Sequence, residues 1–515
     1  MTEPRPIVWS IAGTDSGGGA GLAADQRMAD AFGVHLCSVV AAITAQNSMR
    51  VTHIAPVGAQ RLDAQLAALD EDMPPRVVKT GLLGTAEQIE RVAHWIDRLR
   101  ARADVALVVD PVLSSSTGAA FASSDALRAY RDQLLPRTTV LTPNRHEAER
   151  LLGAPADVPS MARQLKAMGA GTVCIKGGDH IDVSGLSLDW LDSAHAHGWL
   201  ANERIATPHT HGTGCSFATA VASAMALGFV SADAVVLAKM ATTHAIALGS
   251  AAGHGAGPVR AQAGFARDPS RLPWMSWSES PDFERRPLPA TRRKLGLYAI
   301  VESAERVKAV LDAGVRTVQL RIKTPTQPDA TWHGVLCDEI VQSIVACKAA
   351  GAELFVNDHW QLALELGATG VHLGQEDLAA LSDAQRARVR DGSASLGISS
   401  HSLWELCRAA SMSPRYIACG PVWPTLTKAM PWRPQGLHNL GWWCDVSPAP
   451  VVAIGGVLGA DQVRDAARCG ADGVCIVRGL GDDPRATVPV FEASLAEGEG
   501  MPRLARHSEL PWPSL

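Results

Sequence analysis

The feature that most constrains the fold is a strand–helix alternation that starts near Leu295 and repeats eight times. Short apolar runs at 296–300, 317–321, 353–356, 370–373, 395–398, 416–419, 451–454 and 473–477 are separated mostly by segments of helical period. Eight strands with crossover helices in about 200 residues is the arithmetic of a (β/α)8 barrel, a TIM barrel. Such barrels place their chemistry where strands end, so the strand ends form one list of groups facing a common mouth. That list runs Tyr298, Gln319, Arg321, Lys323, Asn357, Asp358, His372, Asp377, Ser399, His401, Thr425, Thr427, Lys428 and the pair Gly455-Gly456. Arg321, Lys323 and Lys428 supply cations suited to a diphosphate. Asp358 and Asp377 supply carboxylates for one Mg²⁺ bridging to it. Any one of these could be an ordinary salt-bridge partner; together at strand ends they predict a binding site.

The first half alternates too, but its loops carry more glycine. An apolar run at 7–12 feeds Gly13-Thr-Asp-Ser-Gly-Gly-Gly-Ala-Gly21, then a helix-like stretch over 22–32. That order suggests backbone approaching a polar ligand, although it matches neither the dinucleotide fingerprint nor the P-loop. Asp25 on the following helix either accepts from a ligand or is a plain helix-start carboxylate. Gln46 ends a β-rich run and offers a donor and an acceptor to an aminopyrimidine edge, or caps a loop. Runs at 77–80 and 106–109 lead into Gly81-Leu-Leu-Gly84 and Asp110-Pro111, as buried parallel strands with ligands at their C-terminal ends would. Asn144 and Glu147, three apart after a strand, form a helix cap or face a Mg²⁺–phosphate cluster. Lys176-Gly-Gly178 places a cation beside a flexible turn. His211-Gly-Thr-Gly-Cys215 opens an apolar helix over 216–227. Its glycines let several N–H groups point at one anion, where a first-turn Cys215 is expected to be acidified.

A net charge of −5 gives no sign of a polyanion-binding surface. The 10 cysteines are scattered without a C-x-x-C pair, as reduced thiols of a cytosolic protein are. Residues 1–10 lack the apolar core of a signal peptide, and no run reaches about 18 apolar residues. A cytoplasmic protein is expected, with no nucleic-acid or membrane partner.

Taken in order, A-G-T-D-S-G-G-G-A-G-L-A-A-D, T-A-Q-N-S, T-P-N-R-H-E, K-G-G and H-G-T-G-C resemble the hydroxymethylpyrimidine/phosphomethylpyrimidine kinases of thiamine biosynthesis, over roughly residues 7–265. The resemblance implies a ribokinase-like α/β sandwich and two successive phosphorylations by ATP with Mg²⁺. Carried over by position, Gly13, Asp25 and Gln46 hold the pyrimidine, Lys176 contacts ATP phosphates, and Asn144 and Glu147 serve the metal. Gly212 and Gly214 form the anion hole, with Cys215 as the activating residue. Two departures are Ser16-Gly17, where the family usually has Pro-Ser, and Leu82, where it often has Met.

Over residues 295–480, L-Y-A-I, Q-L-R-I-K, V-N-D, V-H-L-G-Q-E-D, G-I-S-S-H, G-P-V-W-P-T-L-T-K and A-I-G-G-V resemble thiamine-phosphate synthase. This implies loss of pyrophosphate from the pyrimidine diphosphate and capture of the resulting cation by a thiazole phosphate. Arg321, Lys323, Asn357, Ser399 and Lys428 then hold the diphosphate, with Mg²⁺ on Asp358 and Asp377. Tyr298, Gln319 and His372 face the pyrimidine, and Thr425, Thr427 and Gly456 bind the thiazole phosphate. Arg478 stands where the family tends to carry a small residue.

The organisation expected is therefore a kinase domain at 1–265, a Pro- and Trp-containing linker at 266–294, a synthase domain at 295–493 and a poorly ordered tail at 494–515. The implied partners are small molecules: hydroxymethylpyrimidine, ATP and thiazole phosphate, with a homo-oligomer left open. The rival readings are a pyridoxal-type kinase joined to a thiazole tautomerase, and a non-catalytic sensor of thiamine precursors. A retained set of diphosphate and metal groups counts against both.

Overall fold

The computed structural model describes residues 4–113, 123–177, 185–281, 283, 293–425, 431–506 and 508–515. The chain divides into two compact units, Met1–Asp282 and Phe283–Leu515.

The first unit is a 10-stranded sheet in the order β10-β9-β8-β7-β6-β5-β4-β1-β2-β3. Its centre is parallel: β1 (Ile7–Gly13), β2 (His35–Gln46), β4 (Val77–Thr80), β5 (Ala106–Val109), β6 (Val140–Leu141) and β7 (Thr172–Lys176). These strands are covered on both faces by helices, so they read as unbroken apolar runs in the sequence. Antiparallel strands flank them: β3 (Val51–Pro56) on one side, then β8 (Leu186–Asp192) and β9 (His197–Glu203) on the other. Trp190 pairs with Trp199 across that last hairpin, their rings 5.2 Å apart, edge to face. The parallel strands all end at one edge, which gathers Gly13, Asp110, Asn144 and Lys176. This is the expected α/β sandwich.

The segment read as a linker corrects that expectation. Trp274 and Met275 form β10 (Trp274–Met275), antiparallel to β9, and the Ser276 hydroxyl accepts from the Trp199 amide at 2.9 Å. Proline is tolerated on a sheet edge, where no ladder bond is lost. The first unit therefore runs well past residue 265.

The second unit is a closed barrel of eight parallel strands. They are β11 (Gly296–Val301), β12 (Thr317–Leu320), β13 (Glu353–Asn357), β14 (Gly370–Leu373), β15 (Ser395–Ser400), β16 (Tyr416–Cys419), β17 (Val451–Ala453) and β18 (Gly473–Ile476). All eight apolar runs become strands, and β18 closes on β11. Inside, Tyr298, Ile300, Phe355, Tyr416 and Cys475 share one packed cluster. The tail is a second correction. Helix Pro484–Gly500 runs through its start, and Asn439 and Arg433 hydrogen-bond the backbone at Trp512 and Ser514. Hydrogen bonds to the main chain order it, where sequence period shows nothing.

Candidate functional sites

In the first unit the glycine loop after β1 wraps around its own acid. The amides of Gly17, Gly19 and Ala20 donate to the Asp15 carboxylate at 2.7, 2.9 and 2.8 Å. His211 Nε2 lies 3.0 Å from the same group. Burial works to raise the Asp15 carboxyl, but the hydrogen bonds from His211, Gln46, Ala20 and Gly17 outweigh it and hold its pKa well below the usual carboxylate range. The loop amides expected to approach a ligand are thus engaged internally, and so is the Gln46 side chain. The two glycine motifs interlock. A Cβ on Gly19 would sit 2.3 Å from the His211 ring, and one on Gly212, at φ +83°, would sit 2.1 Å from the Gly19 carbonyl. Neither position admits a side chain.

Gly212 starts the helix Thr213–Ala226 without a side-chain cap, so the first-turn amides of Gly214 and Cys215 have no intrahelical partner. Lys176 Nζ lies 3.3 Å and Asp110 Oδ2 3.7 Å from where a Gly214 Cβ would be. The two side chains form an ion pair at 2.9 Å. Burial works against the charge on Lys176, yet Asp110 and Glu147 keep its pKa raised. A fixed cation and unpaired amides therefore meet at one point, which is what an anion in transit needs. Gly212, Gly214, Cys215 and Lys176 are brought together as the motif implied.

Other expected residues sit differently. Asp25 is fully buried and its carboxylate is filled: Lys79 Nζ donates at 2.9 and 2.8 Å, Ser10 at 2.6 Å and Thr219 at 2.7 Å. No acceptor site is left for a pyrimidine, so Asp25 supports the site from beneath. Asn144 and Glu147 form a reciprocal capping box at 2.8 Å each way on helix Arg145–Leu152. Burial pushes the Glu147 carboxyl up to about 7, Lys176 opposing and Asp110 adding to the shift. Cys215 is not acidified. Burial raises its thiol to about 11 even with Lys79 nearby, so it stays a neutral S–H. Gly13 ends β1, the position of its absent Cβ 3.1 Å from Leu82 Cδ2. Sequence reasoning missed Asp15 and Lys79; a lysine inside the apolar strand V-V-K-T was the available signal for a buried ion pair.

In the barrel a cavity of about 460 Å³ opens at the strand ends, and its walls include Gln319, Arg321, Asn357, Asp358, His372, Asp377, Ser399, Thr425, Gly456 and Arg478. Four expected residues stand elsewhere or outside view. Lys323 is exposed and off the cavity wall. Thr427 and Lys428 lie outside the described residues. Tyr298 is buried in the barrel core, 1 % exposed, and cannot face a ligand.

Tyr298 belongs instead to a chain of hydrogen bonds beneath the cavity floor. Gln319 Nε2 donates to Asn357 Oδ1 at 2.7 Å, which leaves Gln319 Oε1 to accept from the Tyr298 hydroxyl at 3.0 Å. Tyr298 has then used its proton, so the Tyr416 hydroxyl, 2.5 Å away, must donate to it. Tyr416 in turn accepts from His372 Nδ1–H at 2.7 Å, and His372 Nε2 accepts from Ser399 Oγ at 2.8 Å. Burial, with Arg321 adding to it, pushes the His372 ring down to about 3, so it is neutral and its tautomer is set by the chain. His372 offers the cavity a ring face, with both nitrogens already engaged.

Asp358 and Asp377 are both exposed on the cavity rim. Asp358 directly follows β13 at φ +64°, a left-handed conformation that Asp tolerates. Asp377 Oδ2 accepts from the Gly374 amide at 2.9 Å, leaving its second oxygen for another donor or a cation. Among the described residues no group of three or more His, Cys, Asp or Glu side chains could cage a metal. Two carboxylates fit Mg²⁺ held jointly with substrate phosphates, since this hard ion keeps oxygen ligands and rarely needs an all-protein cage.

Residues 15–260 match the phosphomethylpyrimidine kinase family and residues 297–480 the thiamine monophosphate synthase family. The chain is 34% identical over 505 residues to the "Probable thiamine biosynthetic bifunctional enzyme, chloroplastic" of Oryza sativa subsp. japonica, which covers 93% of this chain and 87% of that relative. A hydroxymethylpyrimidine/phosphomethylpyrimidine kinase of Synechococcus elongatus is 42% identical over 259 residues, 49% of this chain and 96% of its own. A thiamine-phosphate synthase of Serratia proteamaculans is 45% identical over 205 residues, 38% of this chain and 89% of its own.

Proposed function

The chain belongs to the bifunctional thiamine biosynthetic enzymes, and from that premise we propose how its residues divide the work. Its kinase half phosphorylates 4-amino-5-hydroxymethyl-2-methylpyrimidine with ATP, first to the monophosphate and then to the diphosphate. Its synthase half joins the diphosphate to 4-methyl-5-(2-phosphoethyl)thiazole, giving thiamine phosphate and pyrophosphate.

In the kinase half, the amides of Gly214 and Cys215 and the Lys176 ammonium stabilise the transferring phosphoryl group. Charge stabilisation and positioning are most of what this reaction requires. Asp110, paired with Lys176 at the same first turn, accepts the substrate hydroxyl proton, a role the high thiol pKa makes unsuitable for Cys215. Cys215 meets that hydroxyl as a neutral neighbour. Gly13 and Leu82 form the pyrimidine wall, and Glu147, beside Lys176, would help hold Mg²⁺ at the ATP phosphates when they bind.

In the synthase half, Arg321, Asn357 and Ser399, together with Lys428 from the sequence resemblance, hold the departing diphosphate, while Gln319 orients the pyrimidine. As the C–O bond breaks, the pyrimidine-methyl cation faces the neutral His372–Ser399 wall, and the thiazole nitrogen captures it. Thr425, Thr427 and Gly456 hold the thiazole phosphate. Mg²⁺ on Asp358 and Asp377, when bound, neutralises charge on the diphosphate oxygens.

The observation that carries the reading is one cavity gathering Arg321, Asp358, Asp377, Ser399 and Gly456 at barrel strand ends. We assign the kinase domain to the first unit and the synthase domain to the second. A cytoplasmic location is supported by the ten free cysteines, and no helix among the described residues is long and apolar enough to cross a membrane. A mass-spectrometric assay with hydroxymethylpyrimidine, ATP, Mg²⁺ and thiazole phosphate tests the whole scheme. Thiamine phosphate should form with two ADP per product; pyrimidine diphosphate accumulating alone would remove the barrel assignment.

A further inference from the structure

One wall of the barrel cavity is tied to a segment beyond the family match, which ends at residue 480. Trp432 and His401 line that wall, their rings stacked 5.5 Å apart and 8° from parallel. His401 is fixed at its other edge by Glu405, whose carboxylate takes both its amide, at 2.6 Å, and its Nδ1, at 2.9 Å. The His401 carbonyl accepts from Gln435 Nε2 at 2.7 Å, and Gln435 Oε1 accepts from Asn439 Nδ2 at 2.9 Å. Gln435 and Asn439 are 2 and 3 % exposed, so these amides are committed to protein partners.

Asn439 also meets the C-terminal segment as a strand partner would. Its Oδ1 accepts from the Trp512 amide at 2.6 Å and its Nδ2 donates to the Trp512 carbonyl at 2.9 Å. A second tether lies one residue past Trp432, where the Arg433 amide donates to the Ser514 carbonyl at 2.8 Å. The Trp512 ring stacks on His438 at 4.5 Å, and the His438 ring bonds the Leu510 carbonyl at 2.8 Å. Two independent connections therefore run from the last residues of the chain to the Trp432–His401 wall.

We propose that the C-terminal segment 510–514 is a positioning element for the synthase cavity, with Asn439 and Gln435 as the positioning residues that pass its hold to His401 and Trp432. The inference rests on the barrel being the synthase. A wall that touches bound diphosphate or thiazole in ground and transition states alike changes binding more than turnover.

The test uses the full-length enzyme, N439A, W512F and a variant ending at Pro511. Steady-state synthesis of thiamine phosphate gives kcat and KM for each substrate, ADP release reports the kinase half, and calorimetry with Mg²⁺ and inorganic pyrophosphate gives a Kd independent of turnover. The shortened chain and N439A should raise at least one synthase KM and the pyrophosphate Kd about tenfold, the scale of one lost buried hydrogen bond. Synthase kcat should hold within about twofold, W512F should match the parent, and ADP release should not change. Unaltered KM and Kd in a folded shortened chain would overturn the inference. So would kcat falling in step with folded fraction at constant KM and Kd. A parent that binds pyrophosphate without making thiamine phosphate would sink the synthase reading, while the Kd comparison would still decide the role of the segment.

Discussion

The two halves handle charge in opposite ways. In the kinase half the charged groups are sunk into the protein and neutralise one another: Asp25 with Lys79 and Asp110 with Lys176. In the barrel the charges stand on the rim, where Asp358 and Asp377 are exposed, and the floor beneath them is a neutral chain from Asn357 to Ser399. A buried ion pair couples site chemistry to folding, because losing one partner strands the other without solvent. A rim charge over a neutral floor can be removed with little effect on the fold. Motif residues in the first half should therefore act largely through stability, and those in the second through turnover.

The sharpest way to break this contrast is Asp25→Ala, which leaves Lys79 charged and unpaired in the interior. It should cost about 3–5 kcal/mol and lower the thermal transition of the kinase half. A raised pyrimidine KM with unchanged stability would instead mean that Asp25 touches substrate. Arg321→Ala is the counterpart in the barrel. Coupling should fall about 10²–10³-fold while stability changes by no more than about 0.5 kcal/mol in urea melts. Lys428→Ala should likewise stop coupling and leave ADP production intact. Tyr416→Phe removes the middle of the neutral chain, orphaning the Nδ1–H of His372. It should destabilise the barrel by about 1–3 kcal/mol, and ¹⁵N shifts of His372 should report a changed tautomer population.

The smallest effects are in pH. Glu147 in the folded protein titrates near 7, above the usual value of about 4.3, so the folded state holds the extra proton between those limits. Stability of the kinase half should decline as pH rises across that window, and Glu147→Gln should flatten the slope. Asp15 acts in the other direction. Its lowered pKa stabilises the fold above about 3.9, and that contribution is lost as pH falls toward the folded value, so Asp15→Asn should destabilise the kinase half at neutral pH and by progressively less in acid. Burial holds Cys215 near 11, so any climb in kinase rate between pH 7 and 9 should persist in Cys215→Ser; a climb lost in that variant would show that Cys215 ionises there.

Legibility differed between the halves for the same reason. Barrel strands point alternate side chains inward and end at one mouth, so a strand-end residue in the sequence is a site residue in space. Gln319, Arg321, Asn357, Asp358 and Ser399 line the cavity on that rule, whereas Tyr298, near the start of its strand, belongs to the packed core. In the first half the glycine loops were visible but the direction of their amides was not. Those amides could face a phosphate or Asp15, and only the approach of His211 from a distant loop decides between the two.

What the sequence by itself determined is the periodic part: eight parallel strands closing a barrel, a parallel α/β sheet ahead of it, and the motifs that name both chemistries. Period and composition report on local burial, and local burial is enough to specify strands and helices. Only the tertiary structure decided which polar groups are already taken. Asp25 meets Lys79 across 54 residues, Tyr298 meets Tyr416 across 118, and Asn439 holds Trp512 across 73. Hydrogen bonds and ion pairs join whatever the fold brings within about 3 Å, and no pattern along the chain encodes that distance.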